Sequence, residues 1–318
     1  MSSRAGIVDH PQLAGDCREA VGRASQSSVP MECLLCRGAR HRVVATELDI
    51  DILRCDTCGH VFSSFPSDPH YSGFWGDEVA ASEHLYWSKA RARMHSDFFK
   101  RFVAGRSGRL LDMGCGLGFF LKAMASYKAW DAYGCEISPA AVRYAREQLR
   151  LDKVICTRLQ EADLPPASFD MIVMWDVLDH IPRPDPLLSH CRSLLKEDGI
   201  LFIRSPNVVT QLFRARLMYA LGRFQTGRKY LQASDHPHLY SMRSMRTLLE
   251  RNGLGDVSFI HLHPIGSDGG TDWKSGLATS IKNMAFQMVR ALAVSTGGRQ
   301  NLDNLFVIAR KGAALRPT

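Results

Sequence analysis

Apolar residues fall into two patterns along this chain. Short unbroken runs sit between glycine, proline or acid: Leu110-Leu111, Ala132-Tyr133-Gly134-Cys135, Lys153-Val154-Ile155-Cys156, Met171-Ile172-Val173-Met174-Trp175 and Ile200-Leu201-Phe202-Ile203. Runs of that length, apolar on both faces, are what a parallel sheet covered by helices requires. Between them, apolar residues recur every three or four positions. Met94, Phe98 and Phe102 at spacing four predict a helix over 82–103 with that face in the core. Ser138 as N-cap and Pro139 at the first position open another helix, and a third is predicted over 185–195. Val257-Ser258-Phe259-Ile260 and Leu305-Phe306-Val307-Ile308-Ala309 read as the last two strands. Strand–helix alternation of this kind predicts an α/β fold with a mostly parallel, Rossmann-like sheet.

One turn in this pattern carries chemistry. The first run leads into Asp112-Met113-Gly114-Cys115-Gly116-Leu117-Gly118, and Phe119-Phe120-Leu121 then begins a helix. Glycines at a strand-to-helix turn let the backbone fold tightly and approach a ligand closely. The spacing is G-x-G-x-G, with Phe119 where a dinucleotide fingerprint needs its last glycine. Glu136 ends the second strand, eighteen residues after Gly118. An acid there can accept two hydrogen bonds from a ribose diol.

A second signal lies upstream. Cys33-x-x-Cys36 is followed, after eighteen residues, by Cys55-x-x-Cys58. Two such knuckles have zinc-site spacing, and four thiolates leave no open position for water. A structural Zn2+ on Cys33, Cys36, Cys55 and Cys58 is therefore expected. Val43-Val44-Ala45 and Ile50-x-Ile52-Leu53 supply the strands of a zinc ribbon over 31–62. The other five of the nine cysteines are read as free thiols.

The remaining stretches set boundaries. Residues 1–30, rich in Ser, Gly, Ala and Arg, read as a disordered lead-in. Residues 63–107 hold a linker bearing Phe65, Tyr71, Phe74 and Trp75, and then the N-terminal helix. From 206 to 240 the chain is basic, with Leu212, Phe213, Leu217, Met218 and Leu221 among its arginines, which predicts an amphipathic helical lid. An insertion over 266–300 sets Ile281, Met284, Ala285, Met288, Val289 and Leu292 on one helical face, suited to packing on the domain or to a membrane surface, a partner or a second subunit. No run has the length of a membrane span or signal peptide, so a cytoplasmic protein is expected. The formal net charge of +8 favours anionic partners or serves solubility.

The glycine stretch, with Asp112 before it, resembles motif I of the class I S-adenosylmethionine-dependent methyltransferases. The resemblance covers residues from about 108 to 311. It implies a seven-strand, mostly parallel sheet with helices on both faces and a reversed last strand. The implied cofactor is S-adenosyl-L-methionine, cradled by Asp112, Gly114, Cys115, Gly116 and Gly118, with Glu136 and Ile137 at the ribose. In the family an acid like Asp163 bonds the adenine amino group and Leu164 lies beside the ring. Trp175 and Asp176, at the carboxyl end of the fourth strand, are placed next to the methyl.

Asp179-His180 stands where many small-molecule methyltransferases have Glu-His. His180 is a general base or a structural histidine holding its loop. His236-Pro237-His238-Leu239-Tyr240 is a further mark of that group, so His236, His238 and Tyr240 are candidates to bind acceptor or take a proton. With no acid-rich set nearby in sequence, no dedicated metal site is expected at these histidines. The resemblance thus implies methyl transfer to an O, N or C nucleophile of a sugar, lipid-linked or secondary-metabolite acceptor. Two alternatives stand beside it: an RNA methyltransferase using the ribbon on nucleic acid, and a non-catalytic zinc-ribbon scaffold. Oligomeric state is not legible from the residues.

Overall fold

The computed structural model describes residues 31–65, 86–222, 229–263 and 304–312, with isolated positions between 265 and 295. The expectations for 1–30, for Tyr71, Phe74 and Trp75, and for nearly all of 266–300 lie outside the described residues.

In chain order the elements are β1 (His41–Glu47), β2 (Ile50–Cys55), β3 (Val61–Ser63), α1 (Ala92–Phe98), β4 (Gly108–Met113), α2 (Phe119–Met124), β5 (Trp130–Glu136), α3 (Pro139–Glu147), β6 (Val154–Cys156), β7 (Phe169–Trp175), α4 (Pro184–Leu194), β8 (Leu195–Pro206), α5 (Val208–Ala220), β9 (His238–Leu239), α6 (Met242–Arg251), β10 (Leu254–Ile260) and β11 (Asn304–Lys311). Two π-helical turns, Tyr86–Ala90 and Phe99–Val103, flank α1.

The large sheet has seven strands in the order β10-β11-β8-β7-β4-β5-β6. Strands β8, β7, β4, β5 and β6 run parallel, and β11 is antiparallel to both β8 and β10. The expected reversed last strand is therefore present. Side chains alternate across the sheet as a period of two demands. Met171, Val173 and Trp175 of β7 join the cluster around Phe98, Phe120 and Phe202, while Ile172 and Met174 join the one around Leu187, Leu188 and Leu248. Met94, Phe98 and Phe102 are all buried, as their spacing predicts. Strand order reverses at β4, which lies between β7 and β5, and this opens a ligand crevice beyond the carboxyl ends of those strands.

The second sheet was only half foreseen. Strands β1, β2 and β3 form an antiparallel meander, and β9 completes it in the order β1-β2-β3-β9. Val61 pairs with Leu239 and Phe62 with His238. A two-residue strand carries no periodicity of its own, so β9 was invisible as a sheet element in the sequence.

Helix α5 splits its apolar residues between two faces. Leu212, Ala215 and Met218 pack on the cluster of Ile52, Val61, Tyr230, Leu231 and Leu239. Val209, Phe213 and Leu217 point outward. No helix among the described residues is long and apolar enough to cross a membrane.

Candidate active site

The glycine loop forms the first half of the site. Gly114, Gly116 and Gly118 all have positive φ, at 81°, 52° and 85°. A Cβ on Gly114 would stand 2.6 Å from Cγ2 of Val177, so the loop and the exit from β7 approach closer than any side chain allows. Cys115 is buried, and burial pushes its thiol pKa well up, so it stays protonated.

Glu136 is folded onto this loop. Its Oε2 accepts from Gly116 N at 2.9 Å, and its Oε1 accepts from Ile137 N and Ser138 N, each at 2.9 Å. Burial nonetheless raises its pKa against those three bonds. Asp112, at the end of β4, is 1% exposed, and its Oδ1 has no hydrogen-bond partner among the described residues. Burial, and then the charge of Glu136, holds its pKa well above the usual range. Among the described residues no cation pairs with either carboxylate.

Two buried carboxylates, one with an orphaned oxygen, cost free energy unless a positive partner arrives. S-adenosylmethionine carries that charge on its sulfonium and ammonium groups, and its diol matches Glu136, so the residues present fit it. Asp163 is exposed and Leu164 half-buried in the turn after β6. Their expected place at the adenine is neither supported nor opposed by any contact.

The second half gathers at the carboxyl end of β7. Trp175 is buried against Phe202, Phe98, Phe120 and His95, and its indole N–H has no hydrogen-bond partner among the described residues. Asp176 follows with φ of 57°, a left-handed conformation rare for a residue with a side chain and concentrated at functional turns. Its carboxylate bridges Arg91 Nη2 at 2.8 Å and Arg204 Nη1.

Beyond it lies a cluster of three. Asp179 Oδ2 stands 3.1 Å from His236 Nε2 and 3.7 Å from His180 Nε2. Asp179 and His236 are buried, while the His180 side chain keeps 16% of its surface exposed. The Nδ1 of His180 is held by the Asp235 carbonyl at 2.9 Å. Burial pushes the Asp179 carboxyl up, opposed by His180, its own backbone N–H, Ser205 and Arg91. Burial, and then His180, pushes His236 well down, so its ring is neutral.

This corrects one expectation. Asp235 alone adjoins His236 in the sequence and no acid-rich set lies nearby, but the fold places Asp179 directly against it. His238 and Tyr240 are also placed otherwise than as open candidates. Both are fully buried, with rings stacked at 5.3 Å. His238 Nδ1 faces His60 Nε2 at 3.0 Å, and its Nε2 faces the Pro182 carbonyl at 3.2 Å. Both ring nitrogens are engaged in bridging the small sheet to the loop after β7.

The small sheet also holds the segment that delivers His236. Glu47, at the end of β1, accepts from Leu231 N at 2.7 Å and Ala233 N at 2.8 Å, and the Ser63 N–H reaches the Pro237 carbonyl at 3.0 Å. Below it the four cysteines converge, with all four sulfurs within 4.8 Å of one another. Cys33 and Cys58 are 3.7 Å apart, Cys36 and Cys55 3.5 Å. Four thiolates about 2.3 Å from one zinc ion stand roughly 3.8 Å from each other. The cluster is therefore compatible with a structural zinc.

Sequence reasoning missed Arg91 and Arg204 as site residues, and gave Asp179 no role beyond its place in the Asp179-His180 pair. Arg204 had a signal: a charge inside the apolar run of β8 must find a buried partner. Arg91 had none, since one arginine in a basic helix looks like any other. It sits where the π turn passes into α1, a distortion common at functional sites, with its guanidinium over the Trp87 ring at 4.0 Å.

A family model described as "Methyltransferase domain" matches residues 86–258, more than half of the chain. The chain belongs to this family. The ubiquinone biosynthesis O-methyltransferase of Neisseria meningitidis serogroup C is 31% identical over 108 residues, 32% of this chain and 45% of that protein. Its counterpart from Xanthomonas campestris pv. campestris is 34% identical over 144 residues, 41% of this chain and 60% of that one. The matches thus span about half the length of these relatives. Among solved structures, phosphoethanolamine N-methyltransferase 2 of Haemonchus contortus superposes with a TM-score of 0.51 at 17% identity, over 78% of this chain and 60% of that one. That likeness establishes the fold.

Proposed function

We propose that this methyltransferase-family protein moves a methyl group from S-adenosylmethionine to an oxygen nucleophile of a small-molecule acceptor. The observation that carries the reading is the pair of buried carboxylates, Asp112 and Glu136, beside three left-handed glycines and without a cation of their own among the described residues. The curated relatives named as O-methyltransferases support oxygen as the nucleophile. They favour this reading over the RNA and scaffold alternatives. The charge of +8 supports an anionic or lipid-linked acceptor.

S-adenosylmethionine, when bound, supplies a methyl already activated by the positive sulfur. The chain's own contribution is therefore positional. Asp112 and the glycine loop hold the amino-acid end, and Glu136 holds the ribose. Trp175 and its aromatic neighbours keep water from the sulfonium, where alignment and exclusion of water supply most of the acceleration. The Asp179–His180–His236 cluster receives the acceptor hydroxyl, with His180 the member open to solvent. His238, Tyr240 and the cysteine-bearing sheet set the position of that cluster. A cytoplasmic location fits this chemistry.

Calorimetry with S-adenosylhomocysteine tests the donor half. A micromolar dissociation constant, lost in Glu136→Ala, is the expected result, and no binding by the unaltered protein refutes the reading. An acceptor screen against cell extract with labelled donor then identifies the acceptor; label recovered in RNA and not in small molecules would turn the assignment to the RNA alternative.

A further inference from the structure

We infer that Asp179, His180 and His236 form a divalent-cation site, separate from the cysteine centre. One oxygen and two imidazole nitrogens, one atom from each residue, lie within 4.8 Å of one another. The two separations from Asp179 Oδ2 are 3.1 and 3.7 Å. Ligands about 2.0–2.2 Å from a shared ion stand roughly 3–3.5 Å apart, so the atoms are set nearly as a coordination shell would set them.

Their geometry suits a shared ion better than mutual hydrogen bonding. Asp179 is 1% exposed, yet neither of its oxygens makes an aligned hydrogen bond. A carboxylate so deeply buried, with Ser205, its own backbone N–H and two imidazoles close by but none well aligned, has room for a cation among those groups. The adjacent Arg91 and Arg204 both pair with Asp176. The Asp235 carbonyl holds His180 Nδ1, which turns Nε2 toward Asp179. A carbonyl on the far nitrogen of an imidazole is the usual outer support of a metal ligand.

Two imidazoles and one carboxylate favour a first-row cation such as Zn2+, Mn2+ or Fe2+ over Mg2+ or Ca2+. Three protein ligands leave positions open, unlike four thiolates, so an acceptor oxygen has room beside the ion. Under the methyl-transfer reading, on which only this use of the cation rests, the acceptor O–H bond breaks before transfer. The proton passes to water, and the oxygen keeps the electron pair that attacks the methyl.

The test uses the full chain with its cysteine centre loaded. Mn2+ is titrated and the unbound ion is followed by its paramagnetic resonance signal, because thiolates bind Mn2+ poorly. One Mn2+ per chain is expected, weakened at least tenfold in Asp179→Asn and in His180→Ala with near-ultraviolet circular dichroism unchanged. His180→Ala, at a partly exposed position, carries the test if Asp179→Asn does not fold. Failure of the unaltered protein to take up either Mn2+ or a second equivalent of Zn2+ would overturn the site, as would uptake that ignores both variants. S-adenosylhomocysteine binding on the same sample separates the two readings. Donor binding without cation uptake refutes the site alone, and cation uptake without donor binding refutes methyl transfer alone.

Discussion

The two halves of this crevice, proposed to hold donor and acceptor, are built in opposite ways. The donor half is local: a strand, a glycine turn and the end of the next strand bring Asp112, three glycines and Glu136 together within 25 residues of chain (112–136). The acceptor half is assembled from afar. Arg91 comes from a π-distorted helix, Asp179 and His180 from the exit of β7, and Arg204 from β8. His236 comes from a segment pinned by Glu47 and Ser63 of the small sheet. A local half survives damage elsewhere in the chain, whereas an assembled half depends on whatever holds its pieces. The small sheet thus acts as the clamp of the acceptor half.

The largest expected effect tests that clamp. Structural zinc contributes on the order of 10 kcal/mol to small domains. Stripping the metal, or Cys55→Ser, is expected to release the small sheet and with it His236. Turnover should then fall to background while S-adenosylhomocysteine binding stays close to normal, as calorimetry would show. Equal loss of both would make the halves one cooperative unit.

Next in size is Gly114→Ala. Left-handed backbone costs a residue with a Cβ about 1–2 kcal/mol, and here that Cβ would also meet Val177 at 2.6 Å. Loss of donor binding by an order of magnitude or more is expected, with the Mn2+ titration unmoved. Glu136→Gln should weaken S-adenosylhomocysteine by about 10- to 100-fold, the worth of one charge-assisted bond of roughly 1.5–3 kcal/mol, and should likewise leave the acceptor half intact.

The smallest effect concerns the aromatic wall between the halves. Burial, and then Arg91, lowers the pKa of His95 to about 3, so its ring is neutral when folded. The unfolded chain takes up the proton near pH 6.5, so between there and about pH 3 it binds more protons than the native state. Stability from this residue is therefore present above pH 6.5 and falls with acid, by at most about 1.4 kcal/mol per pH unit. Melting curves of His95→Phe should show a shallower acid slope than the unaltered protein. An unchanged slope would mean that His95 is solvated.

The same contrast explains what could be read in advance. Apolar runs and their breakers specified strands β4 to β8 and the hairpin partners β10 and β11, because a covered parallel sheet imposes its pattern on consecutive residues. The two Cys-x-x-Cys knuckles were legible for the same reason, since each is a single tight turn. Strand β9 was not, since two residues have no period. The partnership of His236 with Asp179 was not, since 57 positions separate them in the chain. Nor was the inward turn of His238, whose neighbours in sequence say nothing about His60 across the sheet.

By itself, then, the sequence determined the layered α/β sheet, the glycine turn with its two carboxylates, and the four-thiol centre. Each is encoded by neighbours in the chain, where spacing alone fixes which side chains meet. Only the tertiary structure decided which histidine faces the crevice and which is locked inside, and that a buried aspartate joins two of them. Those outcomes depend on the packing of the small sheet against the helices and loops that cover one face of the large one, and that packing follows from the shape of whole surfaces, which no local pattern records.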